Sequence, residues 1–295
     1  MYADFKPVET ADRDLFTDFF IQEAPRASEL TFTNLFMWRH RYFPRWSVQD
    51  DCLLILMQPP EESPFALPPV GRGNKSKAVD TLFSVLRELS DKPMVCRADK
   101  DFVDSSVDLG RLQALEDREN HDYVYLAKNL IELSGKKYHR KKNHVNQFVK
   151  NYSFEYRTLD PDLTTRVLDL QEEWCQLREC AVNPGLFMEN IAIHEALAHF
   201  EALGVTGGII LIDDKVEAFA LGDLLNPDTA VIHVEKANPK IQGLYAAINQ
   251  IFCKEAWSHL TYVNREQDLG LEGLRKAKLS YHPDHMVEKF TLVPK

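Results

Sequence analysis

No apolar run in this sequence approaches the roughly 18–20 residues that a membrane-spanning helix needs. The amino terminus, Met1 to Asp14, is acidic and lacks the basic stretch followed by an apolar one that marks a secretory signal. The two absences together point to a cytoplasmic protein. Cysteine is sparse as well. Cys52, Cys96, Cys175, Cys180 and Cys253 are odd in number and include no C-x-x-C pair. Cys175 and Cys180 lie on what reads as one helix, at a spacing that puts them on different faces. All five are expected to be small apolar core residues in a reducing compartment.

Positive charge is also in deficit. The formal net charge of −10 argues against generic binding to nucleic acid or to an anionic membrane. The deficit is uneven, however. Between Gly135 and His144 the chain carries Lys136, Lys137, Arg140, Lys141 and Lys142 with no acid, and Lys150 follows. Such a segment reads either as a solvated helix face or as a docking surface for phosphates on RNA, a lipid head group or a nucleotide-bearing cofactor.

What is present describes a globular protein: 295 residues, 44% hydrophobic and 27% charged. That length suits two domains of roughly 100–200 residues each. We place them at 1–130 and 131–295, with a basic helix over about 134–150 beside the boundary and room for an exchange of elements across it. No short-period repeat is visible. In the first half, Leu15, Phe16, Phe19 and Phe20 recur at helical spacing, and Ser28 can cap a second helix through Trp38. Trp46–Val48 and Cys52–Met57 read as strands paired through Gln49-Asp50-Asp51. The Pro- and Gly-rich stretch 58–73 reads as loop or edge, and 77–89 as an amphipathic helix. A short strand over 93–97, a short helix over 101–107 and a strand over 123–127 complete this half.

The second half continues with helices over 162–180 and 190–203. Strands follow over 206–212, 215–222 and 229–235, turning at Asp213-Asp214 and at Asn226-Pro227-Asp228. A helix over 242–259, a strand over 260–264, a helix over 271–278 and a last strand over 287–292 close the chain. A meander followed by crossover helices argues for an α+β fold, a mixed and mostly antiparallel sheet flanked by helices.

The phrases His233-Val-Glu-Lys-Ala-Asn238, Tyr262-Val-Asn-Arg-Glu-Gln-Asp-Leu-Gly270 and Gly273-Leu-Arg-Lys-Ala-Lys-Leu-Ser-Tyr281 resemble an uncharacterised bacterial family. That family is related to the catalytic domain of phosphatidylglycerol lysyltransferase. The resemblance implies two tandem Gcn5-related N-acetyltransferase-like domains, as in Fem-type peptidyltransferases that take amino acids from tRNA. It implies an acyl- or aminoacyl-transferase, with aminoacyl-tRNA or acyl-coenzyme A as donor and a lipid head group or small molecule as acceptor. The coenzyme A loop of that fold, Gln/Arg-x-x-Gly-x-Gly/Ala, would fall on Lys240-Ile241-Gln242-Gly243-Leu244-Tyr245. Its backbone N–H groups hold the pyrophosphate at a helix N-terminus. Gly243 fits, but the bulk of Tyr245 disfavours coenzyme A and leaves aminoacyl-tRNA the stronger donor.

Transfer of this kind needs an acceptor placed against an activated ester, a base, and donors facing the oxyanion. Alternation puts Val231, His233 and Glu235 on one strand face, the last two a titratable pair or merely a polar face. Asn264-Arg265-Glu266-Gln267-Asp268 sits where a parallel strand should end, the place where ligands bind in open sheets. Glu266 or Asp268 could take an ammonium, and Arg265 a carboxylate or phosphate. The same five residues could also be a capping turn. Arg275 and Lys278 share a helix face near Tyr281, a candidate general acid or an interface aromatic. His194-Glu-Ala-Leu-Ala-His199 has its histidines five apart, off a common face, and His282-Pro-Asp-His285 lacks further ligands, so no metal site is expected. Three readings stand: an aminoacyl- or acyl-transferase, an acetyl-coenzyme A-dependent N-acetyltransferase, and a binding module that kept the cleft without the reaction.

Overall fold

The computed structural model describes residues 2–295. The chain divides into two compact units, each discontinuous in sequence. The first holds residues up to Asp122 with Gln267–Leu271 and Met286–Lys295, and the second holds Tyr123–Glu266 with Glu272–His285. The chain thus passes between units at Asp122/Tyr123, ahead of residue 130.

In the first unit the strands run in the order Lys6–Pro7, Arg45–Gln49, Cys52–Met57, Phe65–Ala66, Val95–Asp99, Lys289–Pro294, Leu112–Glu116. Asp50 and Asp51 both take left-handed φ, 47° and 57°, the two-residue hairpin geometry that matches strand twist. Cys52–Met57 is buried at every position, which explains its continuous apolar run. The helix Lys75–Leu89 is capped by Asn74, which accepts from the Lys77 N–H at 2.9 Å. It buries Ala78, Val79, Leu82, Phe83, Val85 and Leu86 against the sheet.

Two local expectations change here. Ser28 caps no helix. Thr31 caps Phe32–Met37, and Ser28 instead donates to the Asp122 carboxylate at 2.9 Å. The last strand, Lys289–Pro294, is antiparallel to both Val95–Asp99 and Leu112–Glu116, so the chain's end belongs to the first sheet. It carries Lys289, fully buried, whose ammonium donates to Glu29 at 2.6 Å and to Asp122 at 2.7 Å.

The second unit opens with β1 (Asp122–Leu126), α1 (Ala127–Glu132) and α2 (His139–Asn151), then β2 (Glu155–Thr158), α3 (Thr164–Leu177) and α4 (Pro184–Ala198). The meander β3 (Thr206–Ile212), β4 (Lys215–Asn226) and β5 (Thr229–Ala237) follows, then α5 (Leu244–Trp257), β6 (Tyr262–Asn264) and α6 (Glu272–Leu279). The sheet order β1-β6-β5-β4-β3-β2 is antiparallel except for β5 with β6. That parallel pair requires a crossover, which α5 supplies. The expected turn at Asp213-Asp214 has both residues left-handed, at 50° and 60°. The expected basic helix over about 134–150 is found as one turn, Lys136–Tyr138, running into α2, which carries Arg140, Lys141, Lys142 and Lys150.

The cysteine expectation is corrected at the end of α3. That helix stops at Leu177, Glu179 turns the chain at φ 52°, and Cys175 and Cys180 approach to a Cα separation of 5.0 Å and form a disulfide. The face argument assumed one unbroken helix. Cys52, Cys96 and Cys253 are free and buried, as expected. Among the described residues no helix is long and apolar enough to cross a membrane.

Candidate functional site

β5 and β6 pair over only three residues, Thr229 with Tyr262, Ala230 with Val263 and Val231 with Asn264. β6 then ends while β5 runs on to Ala237, so an opening begins beyond Val231 and Asn264. The odd positions of β5 project His233 and Glu235 to the side of the sheet that α5 covers. From the end of β6, Arg265 and Glu266 reach back to them. The Asn264 side chain accepts from the Glu266 N–H at 2.8 Å, and Glu266 is left-handed at φ 56°, a conformation costing on the order of 1 kcal/mol in a non-glycine residue. That bend is what turns the Glu266 carboxylate onto the strand.

Two charged rungs therefore bridge the opening. In one, His233 is 1% exposed, with Nδ1 2.8 Å from Glu266 and Nε2 3.4 Å from Asp223 on β4. Burial alone would lower the imidazole pKa, but the hydrogen bonds to Asp223 and Glu266 outweigh it and push it up to about 9. In the other, Glu235 pairs with Arg265 and accepts from Asn249 Nδ2 at 2.8 Å. Asn249 is a fully buried asparagine within the apolar face of α5. Burial opposes the charge on Arg265, yet Glu235 beside it keeps the guanidinium firmly protonated. Its Nε and Nη1 are buried with no hydrogen-bond acceptor, and the guanidinium lies over Tyr281 at 4.8 Å and Tyr125 at 5.7 Å.

Tyr281 is buried, which pushes its phenol up to about 12. Lys141 Nζ stands 3.9 Å from the centre of the same ring. Burial, with Arg265 and Arg140 nearby, pushes that amine down to about 8 against the opposing pull of Glu235. Lys278 donates to the Arg265 carbonyl, and Tyr125 donates to the Lys278 carbonyl at 2.8 Å, so α6 is tied to the turn after β6.

The structure thus assembles His233, Glu235, Arg265, Glu266, Tyr281, Lys141 and Lys278 with Asn264. It places Asp268 elsewhere, in the first unit, where the buried carboxylate accepts from the Gly270 N–H at 2.9 Å and pairs with Arg118 at 3.4 Å. Arg275 sits half-buried on α6, while Lys136, Lys137, Arg140 and Lys142 are exposed. Gln242 donates to Gln147 on α2 at 3.2 Å. Sequence reasoning missed Asp223, Asn249 and Tyr125. Asp223 interrupts an apolar strand with a single polar residue, and Asn249 with Gln250 interrupts an apolar helix, the signal that could have found them.

The loop before α5 is closed by its neighbours. Gly243 is left-handed at φ 85°, and a Cβ there would collide with the His144 carbonyl oxygen of α2. Tyr245, 39% exposed, accepts from Trp174 Nε1 of α3 at 2.8 Å, which fixes its ring beside the helix start.

The architecture, two mixed sheets flanked by helices, is that of tandem acetyltransferase-like proteins. Residues 22–293 match the family described as phosphatidylglycerol lysyltransferase, C-terminal, and the chain belongs to that family. A crystal structure of a conserved protein of unknown function from Bacteroides thetaiotaomicron is 37% identical, with a TM-score of 0.93 covering 99% of each chain. The L-PGS of Bacillus licheniformis has the same fold at 11% identity and a TM-score of 0.67, covering 96% of this chain and 91% of that one. An uncharacterized protein of Mycoplasmoides gallisepticum is 24% identical over 178 residues, 57% of this chain and 54% of its own length. The match thus spans about half of that relative.

Proposed function

We propose that this chain transfers an aminoacyl or acyl group from an activated ester, with aminoacyl-tRNA as donor and a lipid head group or small molecule as acceptor. The observation that carries this reading is the opening between β5 and β6, bridged by His233–Glu266 and Glu235–Arg265. Charged groups fixed at a strand opening preorganise a site for an ammonium and for the negative charge that develops on an ester carbonyl. No covalent intermediate is required, because the acceptor can attack the bound ester directly.

Aminoacyl-tRNA is preferred over coenzyme A because the loop that would hold a pyrophosphate is crowded at Gly243 and Tyr245. The His144 carbonyl faces Gly243, and Tyr245 is locked by Trp174. The exposed Lys136, Lys137, Arg140 and Lys142 supply phosphate contacts in this reading, and a cytoplasmic location gives access to charged tRNA.

The family name supplies the first pair to try, lysine and phosphatidylglycerol. Radiolabelled lysyl-tRNA is incubated with the protein and vesicles containing phosphatidylglycerol, and the lipid and soluble fractions are counted. Label entering either fraction, together with salt-sensitive filter binding that prefers charged over uncharged tRNA, is the expected result. No preference for charged tRNA at any salt removes the tRNA donor, and heat on titration with coenzyme A would then move the assignment to an acetyltransferase.

A further inference from the structure

Five cations crowd the segment 136–142, but only Lys141 is turned inward; the other four are exposed. Its Nζ lies 3.9 Å from the centre of the Tyr281 ring, over which Arg265 also lies at 4.8 Å. Among the described residues this ammonium has no hydrogen bond and no ion pair. A half-buried lysine without a carboxylate partner is costly to keep charged, so its position calls for a reason.

The remaining titratable groups of the opening are already committed. His233 is held as an imidazolium between Asp223 and Glu266 and has no free lone pair to receive a proton. Glu235 is taken up by Arg265 and Asn249. Tyr281 keeps its proton, and a guanidinium does not release one.

We propose that Lys141 is the proton acceptor of the transfer reaction, receiving the proton of the attacking hydroxyl or amine. This rests on the transfer reading above. In the step, the acceptor's oxygen or nitrogen bonds to the ester carbonyl carbon as its proton passes to the neutral Lys141 amine. The bond from that carbon to the donor's ester oxygen then breaks, and Lys141 returns the proton to the leaving oxygen. The groups that face Lys141 favour this state: Arg265 from the turn after β6, Arg140 from its own helix, and Glu235 from β5 as the single opposing charge. An amine that titrates near about 8 is partly neutral at physiological pH, whereas a solvated lysine is not.

Two measurements on the whole chain test this. In the first, limiting N-hydroxysuccinimidyl acetate is applied across a pH series and each lysine's acetylation is followed by peptide mass spectrometry. Lys141 should titrate with a midpoint near 8, well below the value of a solvated lysine. A Lys141 midpoint shared with Lys142, or no labelling of Lys141 at all, overturns the proposal, since a base must be reachable. In the second, transfer from lysyl-tRNA to phosphatidylglycerol vesicles is followed against pH. Lys141→Arg should bind charged tRNA as the wild type does, yet transfer about 100-fold more slowly. Lys141→Ala should recover part of its rate when methylamine is added. Wild-type transfer with Lys141→Arg within about twofold overturns the role of Lys141 and leaves the transfer reading standing. A wild-type chain inert in transfer, despite Lys141 titrating near about 8, removes the transfer reading itself and the proposal with it.

Discussion

His233 and Glu266 meet across the opening between β5 and β6, Nδ1 to carboxylate oxygen at 2.8 Å, while Asp223 flanks the other ring nitrogen at 3.4 Å. A buried imidazole with a carboxylate on each side donates from both nitrogens, so it serves as a fixed cation joining the strands.

That assignment sets a pH dependence of stability. The folded pKa, about 9, lies above the ordinary imidazole value, so the protonated ring stabilises the fold fully below about pH 6.5. The contribution falls as pH rises from about 6.5 through about 9 and amounts to roughly 3 kcal/mol. Urea unfolding at a series of pH values should show wild-type stability declining in that window. In His233→Asn the decline should be absent and the baseline lower, because Asp223 and Glu266 then lose the cation between them.

That His233 and Glu235 share one strand face was legible from period-two alternation, but they do not pair with each other: His233 meets Glu266 and Asp223, and Glu235 meets Arg265. Those partners were not legible. Asp223 reaches His233 through the β4–β5 register, and Asn249 reaches Glu235 through the packing of α5, neither of which a local pattern encodes. The hairpin at Asp213-Asp214 was readable because two left-handed residues leave a compositional mark. By contrast, nothing in Lys289–Pro294 says which sheet it joins, and Cys175 meets Cys180 only because the helix stops at Leu177. Lys141 looked like its four neighbours until helix α2 was docked and one of the five side chains faced Tyr281.

Arg265 should be intolerant of neutral replacement. Arg265→Met leaves the mostly buried Glu235 carboxylate bonded by Asn249 without its cation, and breaking one side of such a pair costs about 3–5 kcal/mol. Arg265→Lys keeps the charge but presents a point ammonium where a planar group lies over Tyr281 and Tyr125, so it should retain most stability and lose transfer. Chemical denaturation beside a transfer assay separates the two. Equal stability of Arg265→Met and wild type would show that Glu235 does not depend on the guanidinium.

The Cys175–Cys180 bridge closes a very short loop, so it should contribute modestly, about 2 kcal/mol by loop-closure entropy. Thermal unfolding of the wild type should drop by a few degrees on adding a reductant, and Cys175→Ser/Cys180→Ser should start at the reduced value and ignore the reductant. A wild-type transition that reductant leaves in place would mean that the bridge does not form in solution.

Lys289 offers the opposite pH dependence in the first unit. Its ammonium is fully buried and compensates both Glu29 and Asp122, with Ser28 donating to Asp122 as well. Burial already raises the pKa of Glu29 despite the lysine beside it. Lys289→Met removes the ammonium that bonds both carboxylates and should cost about 3–5 kcal/mol at neutral pH. Without the lysine the Glu29 carboxyl, already raised by burial, takes up a proton still more readily in the folded state than in the unfolded chain. The penalty should therefore shrink as the pH falls toward about 5 and grow above neutrality. Comparing Lys289→Met with Lys289→Met/Glu29→Gln/Asp122→Asn checks this cause directly, because the triple variant should recover stability and lose the variant's own pH dependence. A penalty of equal size at both pH values would place the damage in packing around the missing ammonium and not in the two stranded carboxylates.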